Sequence, residues 1–210
     1  MVTETHYVLD KDVKLTIEID NKEPLKLSTF CQSMESISSE YSQFVLDNKL
    51  DIEPCEQHIY VEKITQGCFL VELVSMISST YPIIEQANSI IEFGGHLKSI
   101  FDWATNRGEK PSNLTEKTLK NFNNILEPIA LDSKSQLNIQ SVNIQGDINI
   151  YIQTNSDLAN VAQNNINKEI QLLKEREDNI ILNTALLWSS TADAQSKAHD
   201  RAIIPTISSL

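Results

Sequence analysis

Between Leu137 and Gln153 the chain reads LNIQSVNIQGDINIYIQ, with Val142, Ile144, Ile148, Ile150 and Ile152 on one parity and mostly amides between them. Period-two alternation of β-branched and polar residues predicts a half-buried strand pair. Folding the segment at Gly146 sets Ile144 opposite Ile148 and Val142 opposite Ile150, so both arms keep their apolar sets on one face. A two-residue loop would break that match, because a slip of one residue moves every side chain to the other face. The expected hairpin therefore has the three-residue loop Gln145-Gly146-Asp147 and an isoleucine face in the core. Its other face, Asn143, Asn149 and Tyr151, is polar but uncharged.

The same reading extends along the chain. Val13, Leu15, Ile17 and Ile19 alternate with Lys14, Thr16, Glu18 and Asp20, a strand with one wet face. Pro24 breaks it, and Ser28 is the expected N-cap of a helix bearing Phe30, Met34, Ile37, Tyr41 and Phe44 on one stripe. Asp47-Asn48-Lys49 ends that helix. Gln57 to Ile64 and Cys68 to Met76 are β-prone runs joined by Thr65-Gln66-Gly67, the first hairpin in chain order, with 137–153 the second.

Ser78 to Pro82 opens a helix burying Ile83, Ile84, Ala87, Ile90, Ile91, Leu97, Ile100 and Phe101. Gly94-Gly95 in its middle costs roughly 2 kcal/mol of helix propensity and marks a bend or a close packing contact. After Arg107 to Pro111, the best linker in the chain, Asn113 and Glu116 have capping-box spacing ahead of Leu119, Phe122, Ile125, Leu126 and Ile129. Asn155-Ser156 caps a helix with Leu158, Val161, Ala162, Ile166, Ile170 and Leu173 inward and a charged last turn. Ile180 to Trp188 reads as a buried strand, and Ala202 to Ile207 as a short closing strand broken by Pro205.

The order is β-α-ββ-α-α-ββ-α-β, with a further closing β. Strands that come in hairpins point to α+β with a largely antiparallel sheet. Residues 1–106 and 113–210 form two α+β halves around a linker at 107–112, or one continuous domain. No residue-level repeat relates the halves.

Composition narrows the function classes. The 210 residues carry a formal net charge of −12, which disfavours a nonspecific grip on nucleic acid or anionic lipid. Cys31, Cys55 and Cys68 have no regular spacing, so neither a disulfide scaffold nor a structural metal is expected. The first residues lack a basic start and an apolar core, and the apolar region from Ile83 to Trp103 is interrupted by charges. A soluble cytoplasmic protein is expected, without a membrane partner. The apolar end of the sequence suggests a truncated form of something longer, or a last strand that completes a neighbour's sheet.

Candidate chemistry is sparse. Cys55 and His58 have metal-like spacing, with His6, His96 and His199 as conceivable further ligands, but the second paired cluster of a closed zinc site is missing. Five glycines leave no phosphate loop, no dinucleotide fingerprint and no nucleophile elbow. Lys197, His199, Asp200 and Arg201 form the densest reactive cluster, suited to phosphate binding or acid–base work. Glu62 and Glu72 face each other across the first hairpin, an acid pair only if they converge rather than alternate outward. No cofactor is implied.

These observations favour a non-enzymatic protein-interaction or assembly module, binding itself or another protein. Asn143, Asn149 and Tyr151 on the amide face, with Ile203, Ile204 and Ile207 in the tail, are its expected contacts. The tail should add an edge strand to its own sheet or to a partner subunit. A bacterial mobile-element or phage-conflict setting fits such an acidic protein, although no residue supports it. One alternative is a small hydrolase or transferase using the Lys197–Arg201 loop. Another is an acidic inhibitor that mimics nucleic acid, which would need its charges in a stripe.

Overall fold

A computed structural model describes residues 7–9, 12–48, 57–65, 69–78, 83–143, 148–178, 187–190 and 201–203. The chain divides into two compact units, Met1–Ile170 and Gln171–Leu210. The first contains β1 (Tyr7–Leu9), β2 (Val13–Asp20), β3 (Ile59–Thr65), β4 (Phe69–Ser78), β5 (Gln136–Asn143) and β6 (Ile148–Asn155). With them are helices α1 (Leu27–Asp47), α2 (Ile83–Ala104), α3 (Glu116–Ala130) and most of α4 (Ser156–Asp178). The second contains β7 (Leu187–Ser190) and β8 (Arg201–Ile203), paired antiparallel. The architecture is α+β and its large sheet is antiparallel. The sequence reading lacked β1, whose three residues are too short to carry a periodic signal.

β2 lies at the middle of the sheet, with β4 and then β3 on one side and β5 and then β6 on the other. The register lines up branched side chains in rows. Ile17 sits between Val71 and Ile139, and Ile139 faces Ile152; Leu15 sits between Leu73 and Ser141, and Ser141 faces Ile150. Val13, Leu15, Ile17 and Ile19 are all buried. Each such side chain contributes about 1.5–3 kcal/mol when fully buried. α2 packs across β2, β4, β5 and β6 on this face. Its two glycines sit differently there. A Cβ on Gly94 would stand 3.3 Å from both Ile150 Cβ and Ser141 Oγ, whereas one on Gly95 would meet nothing within 4 Å. The glycine pair therefore marks a close approach of helix to sheet, and α2 runs through it unbroken.

The second predicted hairpin pairs out of the expected register. Ile150 lies opposite Ser141 and Ile148 opposite Val142, with a bulge between them. The core-facing set on β5 is Leu137, Ile139 and Ser141; Val142 lies opposite Lys14 and is only half-buried. β6 carries one more residue than β5 across the bulge, and that residue shifts the face of one arm relative to the other. The expected partner of Ile148, Ile144, and the loop 145–147 lie outside the described residues.

Helix ends differ by small steps. α1 begins at Leu27 after Lys26, without a side-chain cap, so Ser28 is inside the helix. α3 is capped by Thr115, whose Oγ1 accepts from the Thr118 amide, two residues after the expected Asn113. Glu116 instead pairs with Lys120 one turn on. At α4 the expected cap holds: the Leu158 amide donates to Asn155 Oδ1 at 3.0 Å. α2 closes with Asn106 in the left-handed region (φ 59°), its amide bonding Trp103 O while the Arg107 amide reaches Asp102 O. Residues 107–112 then join α2 to α3 within the first unit, where β2 and β5 belong to one sheet.

Candidate interaction edge

The face of the sheet away from α2 changes character from one side to the other. Near β3 and β4 it is charged. Lys14 Nζ lies 2.8 Å from Glu62 Oε2 and 2.9 Å from Glu72 Oε2, with Lys63 at 3.9 Å from Glu72. The bonds from Glu62 and then Glu72 hold the Lys14 ammonium above its ordinary pKa of 10.5. The two glutamates thus flank a lysine, which is a surface ion network rather than an acid pair set for catalysis. Toward β5 and β6 charge disappears. Gln140 lies opposite Tyr151, Asn138 opposite Gln153, and Gln136 opposite Asn155. Glu18 and Asp20 of β2 are the carboxylates that border β5, opposite Asn138 and Gln136, and Asn138 Nδ2 donates to Glu18 at 3.0 Å.

β6 ends the sheet. Among the described residues it pairs with β5 alone, so its outer backbone edge has no strand partner. Its sequence, INIYIQTN, contains no charge and no proline. Tyr151, Gln153 and Asn155 point outward and are exposed, while Ile152 and Thr154 are buried on the helix side. The opposite edge strand, β3, is built the other way. Glu62 and Lys63 lie in its middle, and a register shift falls between Val61 and Lys63. Charges and bulges are the usual means by which an edge strand is kept from pairing with another chain. Both edge strands are bulged, β3 between Val61 and Lys63 and β6 between Ile148 and Ile150, but only β3 carries charge.

Of the residues expected at a contact, Tyr151 is placed on this open face, 43% exposed. Asn143 lies opposite Val13 in the row that faces the helices, because the face of β5 follows Leu137, Ile139 and Ser141. The backbone of Asn149 belongs to β6. Ile203 lies in β8 opposite Leu187, so the described part of the tail pairs within its own unit. Ile204 and Ile207, along with Lys197, His199 and Asp200, lie outside the described residues; of that cluster, only Arg201 is placed, in β8 opposite Ser190. His58 is exposed, and Cys31 is exposed with a free thiol. Cys55, Cys68, His6 and His199 are outside the described residues. Among the described residues no three His, Cys, Asp or Glu side chains are grouped to hold a metal.

A buried polar cluster escaped the sequence reading. Glu40 of α1 is 1% exposed, yet both its oxygens are bonded: Oε1 lies 2.9 Å from His96 Nε2 of α2, and Oε2 accepts from Asn121 Nδ2 of α3 at 2.9 Å. The imidazole packs near the rings of Phe44 and Phe93. Nearby, Asn124 Nδ2 donates to Ser36 Oγ, and Ser33 Oγ donates to Ile125 O. Rising numbers on α1 meet falling numbers on α3, so the two helices run antiparallel, and the small side chains of Ser33 and Ser36 let them approach. The signal was present in the sequence: Ser33, Ser36 and Glu40 recur at helical spacing beside Ile37, Tyr41 and Phe44, placing a carboxylate inside the apolar arc. A carboxylate–imidazole pair can orient a base. Among the described residues, however, the hydroxyl nearest in sequence, Ser99 Oγ, bonds the His96 carbonyl rather than its ring. The cluster's visible work is to tie three helices together.

A shallow cavity of about 290 Å³ lies between the β2–α1 loop and the end of α3, with Leu25, Pro128 and Leu131 in its wall. Of the two acids that line it, Glu23 and Asp132, the latter is committed to the loop itself, accepting from the Lys22 and Glu23 amides at 2.7 and 3.0 Å. Those bonds, that from Glu23 foremost and then that from Ser135, hold the Asp132 carboxyl below its ordinary value.

Comparison with protein-family models, curated proteins and solved structures found no match. Among the described residues, no helix is long and apolar enough to cross a membrane.

Proposed function

We propose that this chain is a non-enzymatic interaction module whose contact is made by adding a strand to β6. The observation that carries the reading is the contrast in charge between the sheet's two edges: β3 carries Glu62 and Lys63, whereas β6 presents an uncharged strand with no partner beyond β5 among the described residues. Main-chain hydrogen bonds along such an edge supply affinity, and the alternate outward side chains supply selectivity. Here those side chains are Tyr151, Gln153 and Asn155. The net charge of −12 argues against nucleic acid or anionic lipid as the partner and in favour of protein. The bacterial cytoplasm is the proposed setting, supported by the exposed free thiol of Cys31, with a mobile-element or phage-conflict system as the context in which to seek the partner.

Site-directed photocrosslinking in the full chain tests this reading. A photoreactive amino acid at position 153, on β6, should yield polypeptide adducts, and the same group at position 63, on β3, should not. Adducts from position 63 alone, or from neither position, would contradict it.

A further inference from the structure

We propose that the strand added to β6 is β6 of a second copy of this chain, paired antiparallel across a two-fold axis so that two sheets become one. This inference rests on the interaction reading above and specifies its partner. Two observations select a second copy.

The first is electrostatic. With 29 acidic against 17 basic residues, two copies repel each other over most of their surface. A contact between identical chains is tolerable only where the surface is neutral. The β5–β6 end of the open face meets that condition, since its outward positions are Gln136, Asn138, Gln140, Tyr151, Gln153 and Asn155. A partner chosen by charge would find nothing there to read.

The second is self-complementarity. A two-fold contact sets each patch against itself, so every side chain must be able to bond its own kind. Asn, Gln and Tyr are each donor and acceptor at once, whereas Lys offers only donors and an ionised carboxylate only acceptors. Keeping both helix layers on the same side of the joined sheet requires residues of equal parity to lie opposite one another. With Ile152 opposite its own copy, Tyr151 meets Gln153 of the partner subunit on the open face. The isoleucine row then continues across the junction on the helix side. On β3 the same operation would bring the Glu62 and Lys63 region against itself.

The test uses the full chain and paired charge variants. Tyr151 and Gln153 are exposed, so substituting them leaves the core untouched. Tyr151→Glu with Gln153→Glu, and separately Tyr151→Lys with Gln153→Lys, set like charges across the junction. Light scattering after size exclusion at micromolar concentration should give twice the 23.7 kDa chain mass for the wild type. Each double variant should run as a monomer with unchanged circular dichroism, and an equimolar mixture of the two should recover the dimer. A monomeric wild type, double variants that remain dimeric, or a mixture that stays monomeric would each overturn the pairing. A monomeric wild type whose position 153 still crosslinks to a different polypeptide removes the second copy and leaves the interaction reading intact. A monomer that yields no adduct at 153 removes both.

Discussion

His96 Nε2 stands 2.9 Å from Oε1 of Glu40, a carboxylate that is 1% exposed and lies on the apolar stripe of α1. With Asn121 on its second oxygen, Glu40 joins α1, α2 and α3 at one point. A buried polar side chain is tolerated when its oxygens are bonded in this way.

Glu40→Ala should therefore destabilise the protein by about 1–3 kcal/mol, since it leaves the buried Asn121 amide and the half-buried His96 ring without their partner. Glu40→Gln keeps the shape and an acceptor for Asn121, and should cost clearly less. Denaturant unfolding of both variants checks the order. If the alanine variant is no less stable than the glutamine variant, the cluster does not hold the helices together.

The two central glycines of α2 should respond oppositely to the same change. Gly95→Ala meets open space and should stabilise by about 0.8–1 kcal/mol through helix propensity alone. Gly94→Ala gains the same propensity but drives a methyl against Ile150 and Ser141. It should be distinctly less stable than the Gly95 variant, and Gly94→Val less stable still. Equal melting temperatures for the two alanine variants would mean that α2 does not lie this close to the sheet.

Asp132 gives a pH signature. Its carboxyl is held below the ordinary value of 3.8 by the amides of the β2–α1 loop. A depressed folded pKa contributes stability that is fully present above the unfolded value and is lost as pH falls through the folded one. Wild type should thus be more stable than Asp132→Asn at neutral pH. The difference should shrink as pH drops below 3.8. A difference that does not change with pH would show that the carboxylate's charge plays no part.

Much of the fold was legible from periodicity. The buried parity of β2 is legible because Val13 to Asp20 alternate without interruption, and both hairpins form between the expected arms because a breaker separates two β-prone runs. The register of the β5–β6 hairpin was not read correctly, although its sign was visible. Leu137, Ile139 and Ser141 sit on one parity and Val142 on the other, and the extra residue on β6 brings Ile148 opposite Val142 across that change of phase. The longer isoleucine series points Val142 to the core side, where it is not found. The Glu40 cluster was missed for a different reason. Its three members come from three helices, 56 residues apart from Glu40 to His96 and 81 from Glu40 to Asn121, and no local pattern encodes that convergence. The open edge was half legible: the amide face stood out in sequence, but only the strand order shows that β6 is terminal and β3 is the blunted edge.

The account centres on β6 as an edge open to another copy, and amide hydrogen exchange as a function of protein concentration tests it most directly. Outward-facing amides of an unpaired edge strand exchange quickly, and pairing protects them. Protection over residues 148–155 should rise as concentration increases through the micromolar range, while residues 59–65 of β3 remain unchanged. Exchange in β6 that is independent of concentration, or protection gained at β3 instead, would contradict it.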